Sequence, residues 1–150
     1  MHFTKTLLSL LPTSLTLASP TPRSAGSKSM RADEPEWIIE SLKRACNDAD
    51  SQCDWSFRIN TQAADATECV YSVQGSPASH TNGALDRCGV FSIQSGYSDV
   101  FGEDNTFSTL SISDDARELI IWASYSEKLL AGGQVVSPDQ SYSPIFIGIP

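Results

Sequence analysis

Two cysteines, Cys46 and Cys53, enclose Asn47-Asp-Ala-Asp-Ser-Gln52, which is turn chemistry from end to end. Cys53 opens a segment in which Trp55, Phe57 and Ile59 alternate with Ser56, Arg58 and Asn60. That is the period of a strand with one buried and one wet face. The segment before Cys46 reads two ways. Trp37, Ile38, Ser41, Leu42 and Ala45 fit one face of a helix, whereas Trp37 and Ile39 fit a strand that slips before Leu42. Its closeness to Cys46 favours the strand, and the two strands then form a hairpin stapled at its own turn.

The cysteine count extends this constraint. All four lie between positions 46 and 88, and no C-x-x-C zinc spacing occurs. The chain opens with a short basic start, Met1 to Lys5, then an apolar run from Thr6 to Leu17 broken by Pro12, then small residues at Thr16-Leu-Ala18. This is the layout of a signal peptide over residues 1–18, too short and broken to span a bilayer. Four cysteines in an exported chain read as two disulfides. Of three pairings, the hairpin favours Cys46–Cys53 and so Cys69–Cys88. Loop entropy assigns them about 2.5 and about 3.3 kcal/mol. In a plain meander Cys69 and Cys88 would begin consecutive antiparallel strands and lie at opposite ends. The second pairing therefore requires Gly75 to Arg87 to act as a crossover.

Residues 19–36 are polar and rich in Ser and Pro, with Met30 as their one large apolar side chain. Such a stretch cannot offset the entropy of its own ordering, so it reads as a disordered arm or pro-segment before a single domain at 37–150. Within that domain Glu68 to Gln74 alternates cleanly, and Gly75 to Leu85 is a loop with Asn82-Gly83 as its sharpest turn signal. Cys88 to Gln94 reads as one strand, either buried on both sides or bulged at Gly89. Ser95 to Asn105 reads as a loop. Phe107–Ser113 and Glu118–Ser124 form a second hairpin through Asp114–Arg117, and Tyr125 to Ala131 holds a helical turn ended by Gly132-Gly133. Gln134–Ser137 is a short strand, Pro138–Pro144 a loop and Ile145–Ile149 a closing strand. The sum is an all-β domain: an antiparallel sandwich or barrel of about eight short strands, stapled by disulfides.

Catalytic chemistry is hard to find. His80, the one histidine beyond the leader, follows Ser79, and adjacent side chains diverge too far for a nucleophile–base pair. No G-x-S-x-G elbow occurs. Asp99, Glu103 and Asp104 in one loop, and Asp114 and Asp115 in a turn, are the carboxylates that could flank a sugar cleft. The same groups could hold calcium, but the EF-hand pattern is absent. The expectation is no catalytic site, no metal and no cofactor. Tyr97, Phe101, Tyr125 and Tyr142 read as loop aromatics on a β scaffold, either binding anchors or lids over the end of the core. No N-glycosylation sequon is present.

The whole chain carries a formal charge of −8, and from Glu36 onward sixteen acidic residues face six basic ones, a formal charge near −10. Such a surface repels phosphate backbones and anionic lipid, which argues against nucleic acid and against membrane insertion.

The frame Trp37-x-Ile39-x-x-Leu42-x-Arg44-x-Cys46-x6-Cys53-x-Trp55-x-Phe57-x-Ile59 is similar to that of small secreted cysteine-containing proteins of filamentous fungi. The likeness continues through Cys69-x-Tyr71-x-Val73, Cys88-Gly89-x-Phe91, Phe107-x-Thr109-Leu110 and Pro138-Asp-Gln-Ser-Tyr142. It resembles the hypersensitive-response-inducing elicitors of plant pathogens and, more distantly, the Alternaria major-allergen-like β-barrel proteins. The resemblance implies a secreted, non-enzymatic effector or elicitor that acts extracellularly on a host or cell-wall component. Two other readings stand beside it: a carbohydrate-active enzyme of the cell wall using the loop carboxylates, and a carrier of a small apolar ligand inside a barrel.

Overall fold

A computed structural model describes residues 33–148. The signal peptide, nearly all of the arm, and the end of the closing strand at Ile149 lie outside the described residues. Nine strands are present among the described residues: β1 Trp37–Cys46, β2 Gln52–Asn60, β3 Thr67–Gln74, β4 Asp86–Cys88, β5 Phe91–Ser98, β6 Phe107–Asp114, β7 Leu119–Ser126, β8 Gln140–Tyr142 and β9 Ile145–Phe146. One short helix, α1 Glu127–Leu130, follows β7. None is long and apolar enough to cross a membrane.

The strands form two antiparallel sheets, ordered β3-β2-β1-β8 and β4-β5-β6-β7-β9. Alternation decides which side chains enter the core. Trp55, Phe57 and Ile59 of β2 are buried while Arg58 is exposed; in β7 Leu119, Ile121, Ala123 and Tyr125 are buried while Trp122 is half exposed. The inward faces of both sheets meet in one cluster that includes Trp37, Tyr71, Phe91, Leu110 and Ile112. Burial of this kind contributes about 1.5–3 kcal/mol for each large side chain.

The slip in β1 is real. The ladder to β2 shifts between Glu40 and Lys43, and Ser41 takes a left-handed φ of 51°. This bulge turns Leu42 and Arg44 inward in place of Ser41 and Lys43. The first hairpin closes with Cys46 directly opposite Cys53, and the two are bonded. The second bond joins Cys69 of β3 to Cys88 of β4, the edge strands of the two sheets. Residues 75–85 do cross between the sheets, which is how both cysteines reach the same end.

Several expectations need correction. Cys88–Gln94 is not one strand: Gly89, at φ 58°, and the exposed Val90 turn the chain between β4 and β5, so that Cys88 pairs with Phe91. β5 then runs on to Ser98, so Tyr97 belongs to a strand and the following loop begins at Asp99. β7 likewise extends to Ser126 and buries Tyr125 in the core, so Tyr125 is no loop aromatic. Gln134–Ser137 forms no strand; Val136 is buried and its N–H bonds the Leu42 carbonyl at 2.7 Å. Instead the predicted loop 138–144 supplies β8, which pairs with β1.

Asn82-Gly83 is no turn either. Gly83 is buried where a Cβ would stand 2.0 Å from the Tyr71 hydroxyl and 2.6 Å from the Ser95 hydroxyl, so close approach demands the glycine.

Candidate functional site

The crossover carries the functional geometry. Its one-turn 3-10 segment, Ala78–His80, is fastened to the disulfide-closed turn through Asp50. The Ala78 N–H donates to the Asp50 carbonyl at 2.7 Å, and the Ser79 N–H donates to Asp50 Oδ1 at 2.9 Å. The Ser79 hydroxyl closes the clasp on Asp50 Oδ2. Asn82 then fastens the crossover to β5, its Oδ1 accepting the Tyr97 N–H at 2.8 Å. Held at both ends, the crossover lays the His80 ring on the Tyr97 ring, centroids 4.3 Å apart and planes 14° from parallel.

Beyond β5 the loop turns at Gly102, whose φ of 89° suits glycine. Its N–H returns to the Asp99 carbonyl at 2.9 Å. This brings Asp99 and Glu103 round to the stacked rings. His80, Tyr97, Asp99, Glu103 and Thr106 line a cleft of about 430 Å³, within the range of ligand sites. Neither carboxylate has a hydrogen-bond or ion-pair partner among the described residues, and both are exposed.

The other sequence candidates fall elsewhere. Asp104 is exposed and does not line this cleft. Asp114 is buried and accepts the Arg117 N–H. Asp115 binds Ser92, Ser113 and Arg87, and the hydroxyl of Ser92 first among these holds its carboxyl below the usual range. Phe101 is 69% exposed and stacks on Phe107 at 5.9 Å, while half-buried Tyr142 meets Tyr125 edge-on at 6.3 Å. Desolvation pushes the Tyr125 hydroxyl far above its ordinary value, so it stays protonated. Asp50 lies 3.5 Å from Cys53 Sγ, but a sulfur spent in a disulfide offers no thiolate to a metal.

Sequence reasoning weighed His80 as a catalyst beside Ser79 and as a metal ligand, and not as half of an aromatic stack. Its actual partner is seventeen positions away, and no local periodicity carries that information.

The clasp has a pH signature. The Ser79 hydroxyl, followed by the Ser79 N–H, holds the Asp50 carboxyl below its ordinary 3.8, against a smaller opposing effect of burial. A depressed folded value means that the contribution is complete above the unfolded value and is lost as pH falls through the folded one. Asp50→Asn keeps a residue that tolerates φ 48° but loses the charge. We expect it to cost about 1 kcal/mol at pH 7 and to flatten the acid limb of a melting-temperature profile below pH 4, measured by circular dichroism.

The model of the family Effector TSP1 matches residues 38–146, from the second residue of β1 to the end of β9. A relative from Hypocrea virens (strain Gv29-8), named Effector TSP1, is 42% identical over 146 residues, covering 96% of this chain and 97% of its own. Both disulfides and, apart from Trp37, all nine strands fall inside the matched span, and the chain belongs to the Effector TSP1 family.

Proposed function

We propose that this chain is a secreted, non-enzymatic effector that acts outside the fungal cell through recognition, with a plant host as the perceiving party. The observation that carries the reading is its near-full-length similarity to a fungal protein named as an effector. The leader layout of residues 1–18 and two disulfides in a small domain suit the exported address.

Two structural observations favour recognition over the competing readings. A glycosidase acid must hold its proton at working pH, which takes an apolar, desolvated pocket. Asp99, Glu103 and Asp104 are all exposed. A carrier needs room between its sheets, and here Trp37, Tyr71, Tyr125 and Leu110 occupy that space.

Incubating the purified protein with plant and fungal wall polysaccharides separates recognition from catalysis. The expected result is sugar release no greater than the buffer blank. Release that disappears in Glu103→Gln or Asp104→Asn would establish the enzyme reading in its place.

A further inference from the structure

We infer that the cleft of His80, Tyr97, Asp99, Glu103 and Thr106 is a docking site for an arginine side chain presented by a partner protein. The inference rests on the recognition reading above and names the chemistry recognised. It starts from the aromatic pair. His80 and Tyr97 lie face to face at 4.3 Å on the wall of a cleft of about 430 Å³. Each ring covers one face of the other, which leaves the outer faces and edges of the pair for a planar cation, and guanidinium stacks there better than ammonium.

The rim supplies the counter-charge. Asp99 and Glu103 are unspent acceptors, matched to a guanidinium whose planar fork of five N–H donors binds carboxylates in pairs. An amide or a neutral sugar can donate hydrogen bonds to these carboxylates, but only a cation also meets their charge.

The clefts at Phe57 and Val70 and at Thr61 also carry an exposed carboxylate each, Glu68 and Asp65, but only one apiece, and among the described residues no stacked aromatic pair lines either. Each also holds an arginine that would repel a second cation: Arg58, paired with Glu40 at 3.1 Å, in the first, and Arg117, whose N–H meets Asp114, in the second. At long range the acidic chain, formally −8, draws basic partners and repels acidic ones. The aromatic half of the site is also held in place before it is filled. Asp50 and Asn82 fix the crossover at both ends, so binding has only the two carboxylate side chains left to order.

The test titrates the purified protein, labelled with nitrogen-15, with the capped peptide Gly-Gly-Arg-Gly-Gly and with its citrulline, lysine and ornithine counterparts. Citrulline keeps the planar shape and removes the charge. The arginine peptide is expected to saturate with a dissociation constant of about 1 mM, with amide shifts centred on residues 80, 97 and 99–106. Lysine and ornithine should bind more weakly and citrulline not measurably. The Asp99→Asn, Glu103→Gln double variant and Tyr97→Ala should each weaken arginine binding by about tenfold or more. A folded amide spectrum of each variant qualifies the comparison. The wild-type contrast of arginine with citrulline decides the matter even where a variant fails to fold.

Absence of saturable shifts, equal binding of citrulline, or shifts spread evenly over the acidic surface would each overturn the proposal. So would a glucosamine tetramer that fills the cleft while the arginine peptide does not. Binding is read in solution, without plant tissue. A protein that binds arginine here yet leaves plants unaffected loses the host reading and keeps this site. One that stirs plants without binding loses only this site.

Discussion

Glu127→Ala is expected to remove about 3–5 kcal/mol of stability, the largest loss from any single polar side chain in the fold. Arg44, turned inward by the β1 bulge, is only 6% exposed and meets Glu127 through two bonds, Nη1 to Oε1 at 3.1 Å and Nη2 to Oε2 at 2.6 Å. The Ser108 hydroxyl donates to the same Glu127 oxygen at 2.6 Å, and the guanidinium lies 5.4 Å from the Trp55 ring centroid. Truncating Glu127 leaves a buried cation with the Ser79 carbonyl and the Ser108 hydroxyl, both at 3.4 Å, as its remaining hydrogen-bond acceptors. Thermal unfolding should show a fall of at least about 10 °C. Arg44→Met in the same chain should recover part of the loss, because removing both charges is cheaper than stranding one. A drop of a degree or two in Glu127→Ala would show that water reaches the pair and that it acts as a surface bridge.

The disulfides should come next, and unequally. Cys46–Cys53 closes a turn that the β1–β2 ladder already holds, whereas Cys69–Cys88 fastens the free edges of two different sheets. Loop entropy ranks them the same way, about 2.5 against about 3.3 kcal/mol. Cys53→Ser should therefore lower secretion and melting temperature, and adding Cys46→Ser should change little more, since either variant breaks the same bond. The pair Cys69→Ser, Cys88→Ser should cost more than the pair Cys46→Ser, Cys53→Ser. Denaturant titration of the four proteins checks the order. A reversed order would mean that the register of Trp55, Phe57 and Ile59 depends on the turn staple, since a one-residue slip there faces all three to water.

What could be read in the sequence was what local patterning controls. Trp55, Phe57 and Ile59 announce β2, Leu110 and Ile112 announce β6, and the broken alternation after Ile39 announces the bulge. Interruptions by special backbone geometry were less visible. Cys88-Gly-Val-Phe91 looks like strand because Val90 and Phe91 are strand formers, yet Gly89 reverses the chain there. Val135 and Val136 also favour strands, but they meet β1 through the one Val136 N–H to Leu42 carbonyl bond, beyond the bulge, whereas Gln140-Ser-Tyr142 pairs with β1 as a strand. The candidate site was legible only in pieces. Tyr97 stood out as an aromatic and Asp99 and Glu103 as carboxylates, but the contact of His80 with Tyr97 depends on the crossover, and so on long-range hydrogen bonds from Asp50 and Asn82. Arg44 facing inward follows once the slip is counted, though its partner Glu127 does not.

Infiltrating leaves with the purified protein over a range of doses tests the central claim, recognition outside the cell, most directly. The account predicts a dose-dependent oxidative burst or local cell death that saturates at micromolar protein in at least one host and is lost when the protein is reduced and unfolded. Silence across several hosts at doses where the protein remains folded would contradict it.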